Sequence, residues 1–175
     1  MSPPIADAVV RDVASRLGAE RRPIASPGPS AEELLREQPE VLAFVMAGTA
    51  YLQAEARAVA VFLAEVLLAA FREAGRSSRP LASVEFVSAL RRNREMALRV
   101  GQAHERLAER YLRCSRTLYQ PALIRYVTGV LLEPDDRCPH RIPRAQLGPL
   151  FIVLKSVIDV LDDSVRPEAG ADDRL

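Results

Sequence analysis

The chain has no tryptophan, two cysteines, two histidines and, among 24 basic residues, a single lysine, Lys155. Each scarcity removes a class of function. Two cysteines, Cys114 and Cys138, cannot build a disulfide framework, and a cytoplasmic protein with reduced thiols is the expectation. Aromatic residues make up 5% of the chain, which leaves few side chains for stacking on bases or sugars. There is no GxSxG, no glycine-rich phosphate loop and no HExxH, so no motif supports an enzyme. The first residues, MSPPIADAVVRDVASRLG, carry charges every few positions and lack the apolar core of a signal peptide.

Metal chemistry is similarly disfavoured. His104 and Cys114 are ten residues apart on one expected helix, about 15 Å along its axis, too far to share a zinc ion with Cys138 and His140. A smaller set, Cys138 and His140 with Asp135 or Asp136, lacks the spacing of structural zinc sites and reads as a surface loop. A di-iron bundle needs Glu-x-x-His pairs, but Leu98 follows Glu95 and Ala108 follows Glu105 at that spacing. No metal and no cofactor are expected.

What is present is helical. The chain is 49% hydrophobic, 27% charged and carries a formal net charge of +1, the balance of an ordinary globular domain with no strong global field. Ile5, Val9, Val13 and Leu17 mark a short amphipathic helix that Gly18 ends. The connection GAERRPIASPGP follows, and Ser30 with Glu33 opens a new helix through a capping box. Pro39 either kinks that helix or begins the next.

From Glu40 to Ala74 no proline interrupts the chain, and a seam of Leu42, Val45, Thr49, Leu52, Ala56, Val59, Leu63, Val66 and Ala70 runs at alternating spacings of three and four. A second row, Ala43, Ala47, Ala50, Ala54, Val61, Ala64 and Leu68, is rich in small residues, which lets another helix approach closely. This reads as one long helix, the buried central post of the fold. Glu55, Arg57 and Glu65 interrupt its apolar surface, which argues against a membrane span. A second long helix is expected over 83–119, with Ser83 as N-cap and Val87, Leu90, Ala97, Gly101, Leu107, Ala108, Tyr111 and Leu118 facing inward. Two shorter helices follow: one from Pro121, and one started by Pro143 or Pro149. The latter has Leu150, Leu154, Val157, Ile158 and Leu161 on one face, and Lys155, Asp159, Asp162 and Asp163 mostly on the other.

The expected architecture is an all-α, single-domain helical bundle of about six helices with two long antiparallel central helices. Residues 1–29 supply an N-terminal helix and proline-rich connection, 30–165 the bundle, and 166–175 a tail with nothing to bury. Antiparallel pairing of the long helices would bring Glu55 and Glu65 towards Arg94 and His104, a buried polar seam that more often fixes helix register than performs chemistry.

Three functions remain. The first is a helical interaction or scaffolding protein that self-associates as a homo-oligomer, its partner being a protein or a second copy. The second is a small-molecule-binding bundle with a pocket between the long helices, lined by Tyr51, Phe62, His104 and Tyr111. The third is polyanion or nucleic-acid binding along Arg91, Arg92, Arg99, Arg106, Arg110 and Arg113, which the neighbouring glutamates and the absence of a nucleic-acid motif disfavour.

Overall fold

The computed structural model describes residues 3–20, 32–33, 36–76, 79–101, 120–132 and 142–165, the side chains of 99–101 excepted. Six helices are defined among them: α1 (Asp7–Glu20), α2 (Pro39–Gly48), α3 (Ala54–Glu73), α4 (Ser83–Gly101), α5 (Pro121–Leu132) and α6 (Arg144–Ser164). The described residues contain no strand, so the all-α bundle is as the periodicity predicts. No described helix is long and apolar enough to cross a membrane.

The centre of the bundle is α6. It packs against α2, α3, α4 and α5, while α1 packs on α3 and α5. Leu150, Phe151, Val153, Leu154, Val157, Ile158, Val160 and Leu161 are all buried, as a helix enclosed on several sides requires. Enclosure also buries much of its polar side: Lys155, Ser156 and Asp162 are buried, Asp159 is half-buried, and Asp163 is exposed. Pro143 sits at the N-cap and Pro149 is carried inside the helix.

The expected long helix over 40–74 is two helices. Pro39 occupies the first turn of α2, whose end is a turn at 49–53. The Thr49 hydroxyl donates to the Val45 carbonyl at 2.7 Å, and the Leu52 amide bonds back to the Thr49 carbonyl at 2.9 Å. These local bonds replace the helical ladder. The amide of Gln53, cap of α3, donates to Oε1 of Gln146 at 3.2 Å, so α6 satisfies a group that the break leaves open. Gly48 permits the close approach: a Cβ there would lie 3.0 Å from Val153 Cγ2. Beyond the break α3 is the most continuously buried stretch of the fold, with every residue from Leu63 to Phe71 inaccessible.

The other ends follow from local chemistry. At the C-terminus of α3, Gly75 adopts φ +70°, Gly75 N–H bonds to Arg72 O, and Arg76 N–H bonds to Phe71 O. This is a Schellman motif, and in place of its usual apolar contact the Arg76 guanidinium lies 5.8 Å above the Phe71 ring. At the start of α4, Ala82 rather than Ser83 is the cap, and the Glu85 carboxylate accepts its amide at 2.8 Å.

The inward face of α4 is shifted by about one residue from the expected stripe over its first half, while Ala97 is buried as expected and Leu90 packs half-buried against the core. Phe86, Ala89, Asn93 and Ala97 are buried, whereas Val87 is 62% exposed. Phe86 stacks on Phe44 of α2, with ring centroids 4.9 Å apart. In α1 the same small difference puts Val10 in the core and leaves Val9 half-buried, beside Ile5, Val13 and Leu17.

Candidate functional site

Two buried polar clusters sit along α6. The first joins four parts of the chain. Asp162 near the end of α6 faces Arg76, the residue that closes α3, at 3.5 Å. It also accepts a hydrogen bond from Gln120 Nε2 at 2.6 Å, and Gln120 Oε1 accepts the Ile5 amide at 2.9 Å. All three side chains are almost inaccessible. Gln120 immediately precedes α5, so its amide spans from the N-terminal segment to α6.

The second cluster ties α4 to α6. Asn93 Nδ2 donates to Asp159 Oδ2 at 2.9 Å and lies 3.1 Å from Ser156 Oγ. Asp159 in turn holds Lys155, four residues earlier on the same helix. The only lysine of the chain is thus buried and paired. In both clusters each buried charge meets an opposite charge, as the cost of taking ions out of water demands.

Glu55, Glu65 and Arg94 of the expected seam stand in different settings. Glu65 is fully buried in α3 and is engaged there. Glu55 is exposed in the first turn of α3, and Arg94 is exposed on α4. No ion pair joins Glu65 to Arg94: α4 packs chiefly on α6, and its inward position is held by Asn93 while Arg94 is exposed. Tyr51 lies in the turn after α2 and is 65% exposed, while Phe62 is half-buried against the core. His104 and Tyr111, the other two residues of the expected pocket, lie outside the described residues.

Of the expected basic face, Arg91 pairs with Glu95 at 3.1 Å and Arg92 faces Asp163 at 3.8 Å. Arg99 is in α4 with its side chain undescribed, and Arg106, Arg110 and Arg113 lie outside the described residues, as do Cys114, Asp135, Asp136, Cys138 and His140. The upstream arginines are likewise matched: Arg72 with Glu33 and Glu37, and Arg79 with Glu85. The Arg79 guanidinium holds the Glu85 carboxyl below its ordinary range. No group of three or more metal-ligating residues occurs among the described residues.

A different surface stands out. No charged residue occurs from Val41 to Ala54, and apart from Gln53 and the Tyr51 hydroxyl the exposed side chains of this stretch are apolar. Ala43, Met46, Ala47 and Ala50 are exposed at spacings of three and four, with Tyr51 following. Met46 is 44% exposed. The three alanines belong to the row expected to let another helix approach, yet no described helix covers them. No protein family, curated protein or solved structure matches the chain.

Proposed function

We propose that this protein is a helical protein–protein interaction module that pairs with a second copy of itself through the outward side of α2 and the turn after it. The observation that carries the reading is the uncharged, exposed face of Ala43, Met46, Ala47, Ala50 and Tyr51. Around a two-fold axis each residue meets itself or a near neighbour, so a charged face repels its copy and an uncharged one does not. Alanines at helical spacing bring backbones close, and Met46 and Tyr51 supply the larger apolar contact. The buried polar clusters serve this role by fixing the helices on α6 and so keeping the exposed face in one shape.

The alternatives draw less support. A pocket containing Tyr51 is hard to reconcile with a side chain standing in solvent, and the described arginines of the basic face are matched by carboxylates. On the favoured reading no cofactor is required and the protein acts in the cytoplasm. Oxidation of an Ala47→Cys variant tests it. A disulfide-linked dimer beyond the level given by wild-type cysteines supports pairing at α2. Equal cross-linking from an Arg11→Cys control, on the exposed side of α1, counts against it.

A further inference from the structure

The structure sets α1 apart from the other helices. It lies mainly on α3 and α5 rather than on α6, the helix around which the rest of the bundle is organised. It buries Val10, Val13 and Leu17, with Ile5 just before it, while Asp7, Arg11, Asp12 and Arg16 stay exposed. Gly18 lowers its helix propensity, and nothing lies within 4 Å of the place a Cβ would occupy, so packing does not explain that glycine. By contrast, α3 and α6 each carry long uninterrupted buried runs.

Three polar ties between α1 with its leading segment and the bundle lie among the described residues, and each is weak or easily surrendered. Asp7 meets Arg125 at 2.8 Å and Arg16 meets Glu73 at 2.7 Å, one clasp at each end of the helix. All four side chains are about half exposed, at 48–57%. Ion pairs in that setting add little and are screened by salt. Among these ties the buried one is the Ile5 amide on Gln120 Oε1. Breaking it leaves no buried charge without its partner, because Gln120 Nε2 and Arg76 still hold Asp162. The polar network is therefore divided so that the part inside the bundle survives without α1.

We infer that α1 is a releasable strap: it closes over α3 and α5 through two exposed ionic clasps, and lifts away while α2 to α6 remain folded. This is independent of the self-association proposed above, since α1 and the outward face of α2 involve different residues. Stability in such a fold is not uniform, and an element tied to it by exposed ion pairs opens at lower cost than the core helices.

Hydrogen exchange of the full chain, read by mass spectrometry at low and high sodium chloride, tests it. Amides of residues 10–20 should exchange faster than those of 63–71 and 153–161. Raising the salt, or replacing both clasp residues in an Asp7→Asn/Arg16→Gln variant, should speed α1 a further three- to tenfold, roughly, and leave the other two segments unchanged. An Arg91→Gln variant, which breaks the pair within α4, should leave α1 as it was. Exchange of α1 in step with 63–71 and 153–161, or α1 rates that neither salt nor the double variant moves, would overturn the proposal.

Discussion

Asn93 on α4 donates to Asp159 on α6 at 2.9 Å, and through that carboxylate it reaches Lys155, the only lysine in the chain. The contact sets the rotation of α4. With Asn93 inward, Phe86, Ala89 and Ala97 are buried and Arg94 points to solvent. Replacing Asn93 by Leu should cost about 1–3 kcal/mol, because Asp159 then loses its partner from α4 in a partly buried place. Urea unfolding measures this, and an unchanged midpoint would show that apolar packing alone fixes the helix.

Arg76 and Asp162 form the second buried charge pair, with both side chains less than a tenth accessible. Changing Asp162 to Asn should destabilise by about 3–5 kcal/mol, since the guanidinium is left inside without its counter-charge. A double variant, Arg76→Met with Asp162→Asn, should recover most of that loss. A double-mutant cycle in thermal unfolding checks it; simple additivity of the two single losses would mean that the groups do not interact.

Gly75 has φ +70°, and nothing crowds the space where a Cβ would go. The expected cost of Gly75→Ala is therefore conformational, about 1 kcal/mol, from holding alanine in the left-handed region. Calorimetry should find the midpoint lower by roughly 2–4 °C for a chain of this size.

The Arg79 guanidinium, foremost by its hydrogen bond, depresses the Glu85 carboxyl from the model-peptide value of 4.5. A carboxyl held lower in the folded state binds its proton less readily there than in the unfolded chain. Its stabilising effect is full above the ordinary carboxylate range and disappears as pH falls through the folded value. Wild type should exceed Glu85→Gln by about 0.5 kcal/mol near neutral pH, and the gap should close in acid. A gap that persists at pH 2 would place the effect in packing rather than charge.

The sequence makes the helical class plain because the apolar spacings of three and four are long and rarely contradicted. The buried side of the last helix, from Leu150 to Leu161, can be read directly for the same reason. Phase and continuity are harder. A one-residue rotation of α4 exchanges Val87 for Phe86 and Arg94 for Asn93, and both stripes are amphipathic enough to satisfy periodicity. The break after Gly48 falls where Val45, Thr49 and Leu52 keep helical spacing, so the pattern runs through it. The available signals were Gly48 and the hydroxyl of Thr49, which bonds to its own preceding turn. The polar clusters were hidden because Gln120, Ser156 and Asn93 carry no charge to mark them, and their partners are up to 115 residues away. The uncharged outer face of α2 was visible as a row of alanines, but only the fold shows that none of the described helices covers it.

Sedimentation equilibrium of wild type beside an Ala47→Glu variant tests the central claim most directly. Position 47 is exposed, so the substitution should leave helix content and thermal unfolding of the monomer unaltered. The account predicts a reversible wild-type dimer at micromolar concentration and a monomeric variant, the new carboxylates repelling each other across the two-fold axis. A wild-type monomer throughout that range, or a dimer that Ala47→Glu leaves intact, would contradict it.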